Sequence, residues 1–261
     1  MKYKDIFSLR GKTAIVTGGA GYIGAAIAQG FLDFGASVVI ADVVSDGLSG
    51  KLAEYPRENY LFVECDLCNP QSIKEMYETT KSKFGGIDVL VACAAYTGYG
   101  GTGTVISMTD ETWEAGIEGT IGITFKCIRE AIPYMEDNGG SIITFGSLYA
   151  WIAPDFGIYD SGNVSPPNYG AGKAAIIQLT RHCASQFSSR NIRVNSITPG
   201  SYPHPASFEN KQFMEKLSKR TMMGRIGYPE DLVGASILLA SDASGYMTGT
   251  NITIDGGQLA W

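Results

Sequence analysis

The stretch Thr13-Ala14-Ile15-Val16-Thr17-Gly18-Gly19-Ala20-Gly21-Tyr22-Ile23-Gly24 decides how the rest of the chain is read. A short β-type run passes directly into a glycine-rich turn, and the residues after the turn open a helix. Glycines let a backbone come close to a pyrophosphate, and a helix N-terminus favours its negative charge. Gly18, Gly21, Tyr22, Ile23 and Gly24 are therefore expected to cradle the phosphates of a dinucleotide.

Outward from this turn, short β-type runs alternate with longer helical patterns. Thr13–Val16, Ser37–Ile40, Tyr60–Val63, Val89–Val91, Ser141–Phe145, Arg193–Ile197 and Asn251–Ile254 read as seven strands. Helical segments are expected around 22–34, 70–84, 110–136, 169–189 and 229–240. Such alternation implies βαβ units and an α/β fold, a mostly parallel sheet with helices on both faces. The strands that are continuously apolar, such as Val89–Val91, suit burial on both sides. No linker or shift in composition divides the chain, so residues 1–261 are expected to form one domain. Two stretches break the rhythm, about 149–168 and 201–220. Each follows the end of a strand, the edge where open α/β sheets bind ligands, and both are expected to be substrate loops.

Composition narrows the partners. The net charge is −6, and the 20 Lys and Arg form no basic run. That argues against nucleic acid or an anionic membrane as the main partner. No apolar run approaches the ~20 residues of a membrane span, and the N-terminus leads into no secretory h-region. The 5 cysteines are odd in number, which suggests reduced thiols and a cytoplasmic protein. Cys65-Asp66-Leu67-Cys68 has C-x-x-C spacing, but no second pair or nearby His completes a zinc site, and no metal is expected.

The second strand leads to Asp42, 24 residues after Gly18. A carboxylate there accepts hydrogen bonds from both adenosine ribose hydroxyls and repels a 2′-phosphate. The next basic residue is Lys51, so NAD is favoured over NADP. Asp66 and Leu67, after the third strand, are placed to reach the adenine, although Asp66 also suits a helix cap. Tyr169-Gly170-Ala171-Gly172-Lys173 sets a phenol and an ammonium at i and i+4, on one helix face. An ammonium beside a phenol favours the phenolate and brings its pKa toward the working range. Tyr149 and Tyr159 are rival phenols, but neither has a Lys four residues on.

These motifs together resemble the short-chain dehydrogenase/reductase family over Gly11 to Gly257. The resemblance rests on the glycine turn, Ser147, Tyr169 with Lys173, Pro199-Gly200, Thr248-Gly249 and Asp255-Gly256-Gly257. It implies a Rossmann-type, doubly wound parallel seven-stranded sheet. It further implies that Tyr169 is the general acid/base, that Lys173 binds the nicotinamide ribose and lowers the phenol's pKa, and that Ser147 hydrogen-bonds the reacting oxygen. Pro199 and Gly200 would contact the cofactor. The resemblance also implies a homotetramer, with the helices at 110–136 and 169–189 packing across one interface.

The chain departs from the family pattern at four places. The turn is spaced T-G-x-x-G-x-x-G, with Tyr22 where the single-domain branch usually has Gly. Ala92-Cys93-Ala94-Ala95 stands for N-N-A-G; the small residues, Ala94 among them, still line the adenosine side. Thr120 aligns with the Asn that supports a proton relay from the Lys, and is the candidate to replace it. His204 stands where a Thr grips the carboxamide, leaving Ser201 or a backbone group for that task and making His204 a candidate substrate contact. His182 is expected to be structural or at an interface.

Ser147 and Tyr169 are 22 residues apart, several more than the roughly dozen usual in the family. The added loop holds Asp155, Asp160, Ser161 and Asn163 with Trp151, Phe156 and Tyr159. Polar and aromatic groups together suit a sugar-like substrate. The expected activity is NAD-dependent interconversion of a secondary alcohol and a ketone on a polyol, sugar or sugar acid, and the tail Asp255–Trp261 is similar to those of gluconate-type dehydrogenases. The rival readings are a nucleotide-sugar epimerase or dehydratase and a non-catalytic NAD-binding sensor. The first is opposed by the roughly 60 residues after Gly200, too few for a substrate domain. The second is opposed by the presence of Ser147, Tyr169 and Lys173 together.

Overall fold

Apolar side chains alternate between two faces of a sheet whose inner strands are buried on both sides. The computed structural model describes residues 3–45, 48–96, 103–159 and 165–261. Its strands are β1 (Thr13–Thr17), β2 (Ser37–Asp42), β3 (Tyr60–Glu64), β4 (Val89–Ala92), β5 (Gly140–Phe145), β6 (Ile192–Pro199) and β7 (Asn251–Ile254). They form one parallel sheet in the order β3-β2-β1-β4-β5-β6-β7. The helices are α1 (Tyr22–Asp33), α2 (Leu48–Lys51), α3 (Pro70–Phe84), α4 (Asp110–Ile117), α5 (Ile123–Met135), α6 (Pro167–Phe187), α7 (Lys211–Ser218) and α8 (Glu230–Ala240). No helix among the described residues is long and apolar enough to cross a membrane.

Strand periodicity accounts for the two layers. Ala14, Val16, Val38, Ile40, Val89 and Val91 pack with Ile27 and Phe31 of α1 and Leu232 and Ile237 of α8. The intervening Ile15, Val39 and Leu90 pack on the other face with Ile73 and Met76 of α3, Ile128 and Ile132 of α5, and Cys183 of α6. A third, separate cluster of Ile158, Leu217 and Ile226 joins the two expected substrate loops. In those loops the chain forms short 3₁₀ turns at Leu148–Ala150 and Phe156–Ile158, and α7 matches the amphipathic stretch. Asp160, Ser161 and Asn163 lie outside the described residues.

The expected single helix over 110–136 is interrupted. A π-helical turn, Glu118–Gly122, separates α4 from α5. Such turns free backbone groups inside a helix and often lie near functional sites. Here Gly119 O accepts the Tyr96 amide at 2.8 Å, tying the turn to the segment after β4. The Thr120 hydroxyl donates back to Gly116 O at 2.7 Å. Helix α6 crosses this turn closely, and a Cβ on Gly172 would lie 1.9 Å from Thr120 Oγ1.

That approach is testable. Gly172→Ala is expected to lower stability by about 1–3 kcal/mol through overpacking. Adding Thr120→Ala removes the struck oxygen and should recover part of the loss. Urea midpoints of the single and double variants measure it; no recovery would mean the two helices do not depend on this contact.

Candidate active site

The sheet order reverses between β1 and β4, and the strand ends part there to leave a crevice. It encloses about 860 Å³. Gly18, φ +65°, forms its floor, where a Cβ would lie 2.8 Å from Ala94 Cα. A Cβ on Gly24 would strike Gly18 O at 2.2 Å, so α1 rests directly on the turn. Thr17 Oγ1 donates to Val91 O at 3.3 Å and accepts the Ala94 amide at 3.4 Å. The first strand thereby holds the Ala92–Ala95 segment in place without the family's Asn.

Gly18, Gly21, Tyr22, Ile23, Gly24, Asp42, Asp66, Leu67 and Ala94 all line this crevice. The register sets Ala41 opposite Thr17, which brings Asp42 beside Gly18. The Asp42 carboxylate accepts the Ala20 amide at 3.0 Å and the Val43 amide at 2.8 Å. Among the described lining residues there is no Lys or Arg. Asp66 is not the cap of α3; Asn69 holds that place, accepting the Gln71 amide at 3.0 Å. The glycine floor, the helix start and a carboxylate at the adenosine end together fit a dinucleotide.

Ser147, Tyr169 and Lys173 meet beyond β5, outside the residues that line the crevice. Ser147 lies two residues past the strand and begins the 3₁₀ turn instead of sitting on β5 itself. Its Oγ accepts the Tyr149 amide at 3.2 Å, which leaves its own proton free to be donated. Helix α6 carries Tyr169 and Lys173 over this point, and Lys173 Nζ donates to Phe145 O at 2.8 Å. The ammonium lies 5.7 Å from the centre of the Tyr169 ring.

Burial opposes charge at both groups. It raises the Tyr169 phenol above its ordinary value, and the hydrogen bond from Ser147 pulls it down. Lys173 is 4% exposed, and burial lowers its ammonium to about 8, with Cys93 acting in the opposite sense. Cys93 lines the crevice, and burial raises its thiol to about 11.

Other expected residues fall in different places. His204 lines the crevice, its ring 5.9 Å from that of Tyr22 at the glycine turn, so it stands on the nucleotide side. Ser201, the suggested substitute for the missing threonine, donates instead to Gln258 Oε1 at 3.0 Å and does not line the crevice. Pro199 ends β6, and Gly200 packs on Asp255, where a Cβ would lie 2.5 Å from its Cα. Thr120 abuts Gly172, next to Lys173, but its proton is committed to Gly116 O. His182 is exposed on α6.

Sequence reasoning missed Tyr202 and Asn168. Tyr202 lines the crevice and donates to Ile254 O at 3.1 Å. Asn168 is fully buried beside Tyr169 and donates to Thr112 O at 2.9 Å, while its Oδ1 has no partner among the described residues. Its place immediately before Tyr169 was the only available signal.

A nucleotide crevice at the reversal point, with Ser, Tyr and Lys gathered beside it, defines a Rossmann-type oxidoreductase. Comparison with known proteins agrees. The family described as enoyl-(acyl carrier protein) reductase matches residues 18–258. A 3-oxoacyl-[acyl-carrier-protein] reductase of Thermotoga maritima is 34% identical over 254 residues, covering 95% of this chain and 98% of its own. A sorbose reductase of Candida albicans is 32% identical over 259 residues, covering 97% and 89%. The crystal structure of a short-chain dehydrogenase from Leptospira borgpetersenii with bound NAD+ is similar at TM-score 0.86 and 29% identity, covering 99% of this chain and 96% of that one. The chain belongs to the short-chain dehydrogenase/reductase family.

The lowered Lys173 pKa carries a stability prediction for the ligand-free protein. Unfolded, this lysine keeps its proton up to about 10.5, but folded only to about 8. Between those values the unfolded state binds more protons, so stability rises with pH across the window; below it the penalty is complete. Lys173→Met should abolish that rise and stabilise the protein at pH 7 by on the order of 3 kcal/mol. Urea unfolding of both proteins from pH 7 to 10 measures the difference; parallel curves would contradict it.

Proposed function

We propose that this protein interconverts a secondary alcohol and a ketone with NAD as the hydride carrier, acting on a polyol, sugar or sugar acid. The observation that carries the reading is the meeting of Ser147, Tyr169 and Lys173 beyond the end of β5, beside a crevice that has Asp42 on its wall. Gly18, Gly21 and the start of α1 would hold the pyrophosphate, Asp42 the adenosine ribose, and Asp66, Leu67 and Ala94 the adenine side. When bound, the nicotinamide supplies or accepts the hydride.

The chain's own residues manage the proton. For reduction, Tyr169 donates its phenolic proton to the carbonyl oxygen as that oxygen gains charge. Ser147, oriented by the Tyr149 amide, donates a second hydrogen bond to the same oxygen. As the phenolate forms, the Lys173 ammonium stabilises it; in oxidation the phenolate takes the alcohol proton. Thr120 acts by packing, fixing α6 on the π turn, and not as a proton donor. His204 would cover the nucleotide at the glycine turn.

Asp42 on the crevice wall, with no Lys or Arg among the described lining residues, supports NAD over NADP. The polar and aromatic residues of the loop at about 149–168, and the sorbose reductase among the relatives, support a polyhydroxylated substrate. Trp113 and Phe125, 41% and 47% exposed on α4 and α5, support a homotetramer built through these helices. A cytoplasmic location goes with the reduced thiols.

Tyr169→Phe is expected to keep NAD binding while losing about 10²–10⁴ of turnover on whichever polyol or sugar acid the wild type oxidises. Turnover is followed by reduced-cofactor absorbance and NAD binding by titration; wild-type rates in the variant would remove Tyr169 from its role. Asp42→Ala should shift the NAD/NADP ratio of kcat/KM toward NADP by about tenfold or more, ~1.4 kcal/mol. An unchanged ratio would refute the ribose assignment.

A further inference from the structure

Two phenols stand beyond Tyr169, away from the nucleotide crevice. Tyr149 follows Ser147 by two residues, and its amide orients the Ser147 hydroxyl. Its carbonyl lies against Gly170, where a Cβ would be 3.1 Å away, so it packs on the first turn of α6 beside Tyr169. The Tyr149 and Tyr159 hydroxyls are hydrogen-bonded to each other. Neither lines the crevice. Both phenols are half-buried, and burial raises both above their ordinary values. Each also lies within electrostatic reach of Tyr169.

The pair is firmly held. Ile158, next to Tyr159, packs with Leu217 and Ile226. The Tyr159 ring stands 5.9 Å from Phe213 of α7. Arg220 forms an ion pair with Asp155, and Lys216 Nζ donates to Gly157 O at 3.3 Å. Two neutral hydroxyls sharing one hydrogen bond retain one proton to donate and several lone pairs. That array matches a hydroxyl of a substrate, which also offers one proton and accepts one. Tyr149 lies two residues from Ser147 and packs on the turn of α6 that carries Tyr169, which sets the pair beside the reacting centre.

We infer that the Tyr149–Tyr159 hydroxyl pair is a substrate subsite that reads a hydroxyl on the carbon next to the reacting one, selecting vicinal diols and α-hydroxy ketones over simple alcohols and ketones. This deepens the proposed function and rests on it. The subsite exceeds a surface insertion in one respect: it turns the additional length between Ser147 and Tyr169 into a specificity determinant.

The test compares cyclohexane-1,2-diol with cyclohexanol, and 2,3-butanediol with 2-butanol, in the wild type, Tyr159→Phe and Ile158→Val. The wild type should favour each diol, and Tyr159→Phe should lower the diol-to-alcohol ratio of kcat/KM by about 10–100-fold, the loss expected when a buried hydrogen-bonding partner is left unsatisfied. Ile158→Val loosens the same loop without removing a hydroxyl and should leave that ratio unchanged. A ratio that falls equally in both variants, or in neither, overturns the subsite. Diol binding to the NAD complex, read from tryptophan fluorescence, gives a second measure independent of turnover. If the wild type oxidises none of the four compounds, the alcohol–ketone reading fails on these probes, and the subsite is judged by binding alone. Cyclohexane-1,2-diol affinity that survives Tyr159→Phe, or no diol binding to the wild type, overturns it; weakened affinity supports it.

Discussion

At Gly18 the chain passes so close to Ala94 that a single methyl group would force the two strand ends apart. The rest of the crevice depends on that approach. β1 and β4 are neighbours whose connections leave in opposite directions, and only a backbone without a side chain lets both run to their ends. With the approach in place, Thr17 pins the Ala92–Ala95 segment and α1 starts flush on the turn. Asp42 is then held at the wall by the Ala20 amide. A larger residue at Gly18 would also have to adopt a positive φ, a conformation that most side chains disfavour.

The proton-handling end follows a different physical rule, because it buries charge. Lys173 is nearly dry and has one protein acceptor among the described residues, the Phe145 carbonyl. A buried ammonium with few partners raises the energy of the ligand-free protein. That tension has a local consequence, since a lysine near neutral pKa and a phenol raised by the same burial respond strongly to any polar group brought beside them. Stability is given up where the proposed chemistry needs responsiveness. The close packing of Gly172 on Thr120 seats α6 on the π turn directly beside this lysine.

Much of this was legible in the sequence, for identifiable reasons. The central strands β1, β2 and β4 carry apolar runs because both their faces are buried, and the glycine turn announces the reversal point before the topology is known. The i, i+4 pairing of Tyr169 and Lys173 needs only helical geometry. What escaped was set by contacts between distant segments. A π turn inserts into a helix without disturbing its apolar pattern, so 110–136 read as continuous. Ser201 turns to Gln258, and Tyr149 meets Tyr159, through loop conformations that no local periodicity encodes. The orphaned Oδ1 of Asn168 is likewise a product of α4 and α6 meeting, not of either helix alone.

The separation of the hydrophobic clusters explains how one scaffold can keep its nucleotide site while its substrate changes. The two large clusters belong to the faces of the sheet and hold the crevice. Ile158, Leu217 and Ile226 form a third that shares no residue with them and braces the two loops against each other. Substitutions there alter loop positions without passing strain through the strands, because strain travels through packed contacts. The two loops therefore share a small core of their own, with Ile158 in it next to Tyr159, whose hydroxyl meets that of Tyr149. A hydroxyl pair held against such a core discriminates through the position of its hydroxyls, the more so the less it must rearrange to meet a substrate.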